Sequence, residues 1–179
     1  MAEVERRSKG VRFAAGAWAY TADFEALDSP DEGGAPIRIR EGRGAYAIVE
    51  ADLLREHGAE HEGLRGWVRV GAADEDLYPV GAYIGGGFVY TGFAPGRVED
   101  QVGIAVAHAR LGGVVRRVAE ALGTKSEQAE TTVELTYHAQ LNASVALQPN
   151  LQYVFNPGAD PTLENALVGG LRVKFGFSR

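Results

Sequence analysis

Leu167-Val-Gly-Gly-Leu-Arg-Val-Lys-Phe-Gly-Phe177 is the stretch that decides the fold. Leu167, Leu171, Val173, Phe175 and Phe177 share one parity, and Gly170, Arg172, Lys174 and Gly176 share the other. A period of two with one apolar and one charged face is the signature of a β-strand. A helix would set Arg172 beside Phe175 and carry Gly169, Gly170 and Gly176 in its interior, where glycine is poorly tolerated.

Reading backwards from this stretch, the pattern repeats. Val145, Leu147, Leu151, Tyr153 and Phe155 alternate with Gln148, Asn150, Gln152 and Asn156. Pro149 is awkward there, because it removes a ladder donor. Val133, Leu135, Tyr137, Ala139 and Leu141 alternate with Thr132, Glu134, Thr136, His138 and Gln140, and Asn142-Ala143-Ser144 links the two runs as a hairpin. Further upstream, Leu64, Val68 and Val70 face away from Arg65, Trp67 and Arg69. Val102, Ile104 and Val106 oppose Gly103, Ala105 and Ala107. Residues 78–91, 44–54 and 11–24 complete a set of about eight strands, the last two without a readable facing.

Composition agrees. Twenty-four glycines in 179 residues is about twice ordinary usage and favours strands with bends over helices. With no cysteine there is no disulfide, thiol nucleophile or Cys-ligated zinc. Eighteen basic against 24 acidic residues, a net charge of −6, and the lack of a basic run argue against a nucleic-acid partner. No run approaches the roughly 18 apolar residues of a membrane helix. The start, Met1-Ala2-Glu3-Val4-Glu5, does not read as a signal peptide. The expectation is either a soluble protein or one whose front end lies elsewhere.

The links are expected to alternate. Residues 142–144 are short, whereas 27–43, 93–100, 112–129 and 157–165 are long, and Val114 to Leu122 has the spacing of a short helix. Short turns at one end and long loops at the other is the layout of an outer-membrane barrel. Aromatic residues near strand ends (Tyr78, Tyr90, Phe93, Tyr153, Phe155, Phe175 and Phe177) match interfacial girdles. The fold class expected is all-β, an antiparallel transmembrane barrel segment. The alternatives are a soluble or self-closed eight-stranded β-domain binding a small ligand, and an inactive fragment whose unpaired strand edges drive assembly or aggregation. Closed alone, eight strands leave an interior filled by side chains.

Other motifs read more plainly. His57-Gly58-Ala59-Glu60-His61 spells an inverted zinc-peptidase pattern, but that chemistry needs a helix and glycines interrupt this one. It reads as a charged turn. Gly85-Gly86-Gly87 runs into Phe88-Val89-Tyr90, so it is a bend in a wall and not a phosphate cradle. The acidic run Asp28 to Glu32 lacks the spacing of a calcium loop. Arg38, Arg40 and Arg43 follow it, as partners for those acids or as contacts for lipopolysaccharide. Glu134 and His138 lie too far apart on one strand for an acid–base pair. No catalytic residue, metal site or cofactor is expected.

Three blocks carry a family resemblance. They are Gly85-Gly86-Gly87-Phe88-Val89-Tyr90-Thr91-Gly92 with Pro95-Gly96-Arg97, Val133-Glu134-Leu135-Thr136-Tyr137, and Leu147 to Val154 continuing through Asn156-Pro157-Gly158. In order and spacing the chain resembles the C-terminal half of the OprB-type carbohydrate-selective porins, with residues 1–10 as an N-terminal extension and 11–179 as the barrel half. It differs from the family in ending Phe177-Ser178-Arg179 and not on an aromatic residue. The resemblance implies a barrel of about sixteen strands in the bacterial outer membrane. It also implies passive passage of sugars without covalent chemistry. Outer-membrane lipid and the N-terminal half of the barrel would be its partners, with a homo-oligomer left open. On that reading Arg65, Trp67, Arg69, Glu134, Thr136, His138, Gln148, Asn150, Gln152, Arg172 and Lys174 are the candidates for lining the pore and contacting sugar. Trp67 offers a ring for stacking between two forked donors.

Overall fold

The computed structural model describes residues 1–25, 38–40, 42–56 and 62–176. Nine strands form one antiparallel sheet: β1 (Ala2–Ser8), β2 (Val11–Ala19), β5 (Arg43–Arg55), β6 (Gly63–Ala73), β7 (Val80–Thr91), β8 (Gln101–Leu111), β9 (Ala129–Asn142), β10 (Val145–Phe155) and β11 (Ala166–Phe175). Each pairs with its neighbour in that order. A separate pair, β3 (Asp23–Glu25) and β4 (Arg38–Arg40), lies in the connection from β2 to β5. Most of the large strands reach the roughly 9–11 residues that a tilted strand needs to cross a bilayer.

Two expectations change. Residues 2–8, read as an extension, form a full strand on β2 from Ala2↔Ala17 to Ser8↔Val11, which raises the strand count of the sheet to nine. The sheet is open, with β1 at one edge and β11 at the other, so the self-closed eight-stranded alternative does not hold.

Register assigns every strand two faces, because residues directly opposite share one. On one face lie Val11, Phe13, Val49, Val68, Val70, Ile84, Phe88, Ile104, Val106, Leu135, Leu151, Leu171, Val173 and Phe175. All of these are exposed: Phe175 at 67%, Leu171 at 65%, Ile104 at 52%. A sheet that spends its apolar side chains on an uncovered face has put little of them into a core. Among the described residues the buried apolar ones are accordingly few and mostly small, with Ala14, Ala139, Ala146 and Ala159 among them. The facing of β2 and β5, unreadable from sequence, follows from pairs such as Phe13↔Val49 and Arg12↔Glu50.

The connections sort by end. Residues 9–10, 92–100 and 143–144 lie at the end that also holds the β5–β6 link. The links 74–79, 112–128 and 156–165 lie at the other, with β3 and β4. The 93–100 link, expected among the long loops, therefore sits at the short-turn end. The short helix is present as α1 (Gly113–Ala121), held to residues 74–79 by Val114 N–H donating to the Glu75 carbonyl (2.9 Å) and by Arg117 with Asp76 (2.8 Å).

Asp100, only 1% exposed, fixes the 92–100 loop. Its carboxylate accepts from Arg97 Nε (2.6 Å), from the Tyr137 hydroxyl and from the Gln140 amide (2.9 Å). Phe93 packs edge-on to Tyr137, centroids 5.8 Å apart. Burial alone pushes the Asp100 carboxyl up. The three hydrogen bonds, Tyr137 foremost, outweigh it and hold the group below the ordinary aspartate value.

Candidate functional site: the polar face of the sheet

The eleven residues singled out from sequence come from β6, β9, β10 and β11, and the register places all of them on one face. Trp67 stands opposite Gly87, Gly87 opposite Ala105, Ala105 opposite Glu134 and Glu134 opposite Gln152. One row away, Arg65 leads through Val89 and Gly103 to Thr136 and Asn150. Arg69 lies opposite Gly85, His138 opposite Gln101, and Gln148 opposite Arg172, with Lys174 two residues further along β11. Sharing a face is not sharing a site. Trp67 and Glu134 are three strand spacings apart, on the order of 14 Å along the wall. The central positions between them, Gly85, Gly87, Gly103, Ala105 and Ala107, carry at most a methyl group.

The face therefore has two polar tracks and between them an aisle of mostly small residues, into which Val89 and, over Gly85, the Tyr83 ring project. The aisle is set by backbone approach: a Cβ on Gly87 would lie 2.6 Å from the Ile104 carbonyl oxygen. On β9 and β10, Gln152 donates to Glu134 (2.5 Å), Gln148 donates to Thr136 (3.4 Å), and Thr136 donates to the Pro149 carbonyl (3.2 Å). Arg172 and Lys174 are exposed at the β11 edge.

The other track is ionic, and sequence reading found only its β6 members. Glu5 on β1 takes Arg7 (2.5 Å) and Arg12 (3.1 Å), and Arg12 reaches on to Glu50 (3.2 Å), directly opposite Trp67. Asp52, opposite Arg65, accepts from Arg65 Nε (3.1 Å) and from Arg55 Nη2 (2.6 Å). Tyr46 donates to Glu3 on the same face. These pairs run between side chains as many as 43 positions apart, so no local motif announces them. The signal that was available is the conjunction of Arg12, Glu50 and Asp52 on strands whose facing the sequence left open.

Of the remaining motifs, the His57 to His61 pattern and the Asp28 to Glu32 run lie outside the described residues, as does Phe177. Arg38 and Arg40 lie on β4, and Arg43 starts β5. Aromatic residues stand at both strand ends. Tyr153 and Phe155, with centroids 4.7 Å apart, lie towards the long links, and Tyr90, Phe93 and Phe175 lie towards the short turns.

The comparisons with known proteins agree with this wall. The family described as carbohydrate-selective porin, OprB family, matches residues 6–177. Porin B of Pseudomonas aeruginosa strain PAO1 is 24% identical over 147 residues, covering 75% of this chain and 32% of that protein. The solved high-pH structure of Pseudomonas putida OprB superposes with a TM-score of 0.85 at 22% identity, over 98% of this chain and 47% of that one. This chain thus spans about a third of the length of the curated relative and about half that of the solved one.

Proposed function

Because the chain belongs to the OprB family of carbohydrate-selective porins, we propose that it forms part of the wall of an outer-membrane channel through which sugars diffuse passively. The single observation that carries this reading is the division of the sheet. Polar residues of six or more strands share one face, and exposed aliphatic and aromatic residues predominate on the other, with Arg6, Ser8, His108 and Thr131 among its polar exceptions. Water would destabilise such an apolar face, whereas bilayer hydrocarbon would not. The polar face then borders the lumen, and Arg65, Trp67, Arg69, Glu134, Thr136, His138, Gln148, Asn150, Gln152, Arg172 and Lys174 line it.

The chemistry required is modest. Nothing on the wall needs to react with the solute. It must replace part of the sugar's hydration with hydrogen bonds weak enough to release it. The ionic track offers guanidinium forks and carboxylates already paired with one another, so they give up little hydration when a hydroxyl exchanges in. Trp67 lends a ring for stacking, and the glycine and alanine aisle leaves clearance beside it. The open edges of β1 and β11 pair with further strands of the same barrel. An even-stranded antiparallel barrel then takes an odd number of strands besides these nine.

The test is single-channel conductance of the full-length porin in planar bilayers with glucose as the probe. Trp67→Ala is expected to raise the glucose concentration that half-blocks the current severalfold, with the open channel still conducting ions. An unchanged half-blocking concentration would remove Trp67 from the sugar path.

A further inference from the structure

One feature of the wall is built by an irregularity. In β5 the pairing with β6 shifts between Asp52↔Arg65 and Leu54↔Leu64, which leaves Leu53 as an extra residue. In a regular strand, residues three apart point to opposite faces. The bulge brings Asp52 and Arg55 to the same one, where Arg55 Nη2 donates to the Asp52 carboxylate at 2.6 Å. Gly63 permits it. A Cβ there would lie 2.1 Å from the Leu54 carbonyl oxygen, and its φ of +142° is one that side-chain-bearing residues rarely adopt.

The result is a three-residue ion-paired array at the short-turn mouth, with Asp52 held between Arg55 and Arg65. It opens onto a concavity of about 670 Å³ whose walls include Asp52, Arg55, Glu62, Arg65, Thr91 and Gln101. Both arginines line this concavity, and their side chains remain about two-thirds exposed, at 69% and 67%. Among the described residues of its wall, two guanidinium groups stand against two carboxylates, a balance that favours a neutral solute over an ion. Forked donors next to carboxylate and amide acceptors suit vicinal hydroxyls, each of which both donates and accepts.

We propose that this concavity is a second saccharide station, at the short-turn mouth of the channel, next to the Trp67 ring along β6 and sharing Arg65 with it. It rests on the reading of the polar face as the channel lining. Among the described residues no aromatic ring lines it, so it binds through hydrogen bonds, holds a sugar briefly beside the exit and supplies the first contact for a sugar entering from that side.

The experiment is glucose-induced current noise of the full-length porin, with glucose added to either side of the bilayer. Arg55→Ala and Gln101→Ala are expected to lower the glucose entry rate severalfold from the short-turn side and to leave entry from the long-link side unchanged. Gln101→Ala removes a wall residue without opening an ion pair, so it keeps the test valid if Arg55→Ala folds poorly. Unchanged entry from both sides in both variants, with Trp67→Ala still weakening block, overturns the station and leaves the sugar channel standing. A wild-type current insensitive to glucose from either side overturns the channel reading and the station with it.

Discussion

Asp100 shows at the scale of one residue how a charge survives under a loop. Three donors surround its carboxylate, and its pKa is depressed despite burial. A depressed carboxyl contributes stability that is fully present above the unfolded value, about 4, and is lost as pH falls through the lower folded value. Hydrogen exchange at the Gln140 amide should therefore stay protected through about pH 4 and open only below it. Asp100→Asn should abolish that acid transition. Protection already fading near about pH 6 would contradict the assignment. Gly63 is a second such residue. Gly63→Ala is expected to cost about 1–3 kcal/mol through the strained backbone and the clash with Leu54. Urea unfolding in lipid vesicles measures it. A neutral result would mean that the bulge relaxes freely. Neither role was legible in the sequence, because Asp100 gains its meaning from Tyr137 and Gln140 across the sheet, and Gly63 from a bulge on the neighbouring strand.

At the scale of the strand, legibility followed contrast between faces. β9, β10 and β11 alternate large apolar with polar residues, and their facing could be read directly. β5 alternates Ala45, Ala47, Val49 and Ala51 with Tyr46, Ile48, Glu50 and Asp52. Small residues on one face and two apolar ones on the other erase the contrast, and the bulge at Leu53 then switches parity. β1 offers only Ala2 and Val4 on its apolar side before Arg6 and Ser8, so it passed for an extension. The division of faces makes a paired prediction on β8. Val106→Lys, near mid-strand on the apolar face, is expected to destabilise the barrel by about 2–4 kcal/mol. Ala105→Lys, one residue away, is expected to leave stability nearly unchanged while reducing conductance. Vesicle unfolding titrations and bilayer currents separate the two. Equal destabilisation by both would argue against a division of faces in β8.

At the scale of the whole molecule, an odd strand count is decisive. β1 and β11 run in the same direction across a nine-stranded antiparallel order, so joining them would make a parallel seam. The chain expressed alone is expected to give β-sheet in detergent without discrete conductance steps, and steady single-channel steps from it would mean that it seals its own edges. The family resemblance was legible from three blocks of sequence, and the match over residues 6–177 extends it into β1. The ionic track was not, because it joins strands far apart in sequence through register alone. Which face of the sheet meets water decides between a channel wall and any other role. The chain has no cysteine, so single substitutions Ile104→Cys, Ala105→Cys, Val106→Cys and Ala107→Cys along β8 give each position its own label. In the membrane-embedded full-length porin, a charged water-soluble thiol reagent should modify positions 105 and 107 and lower the current, and should spare 104 and 106. Modification of 104 and 106 with 105 and 107 spared, or of all four alike, would contradict the channel wall.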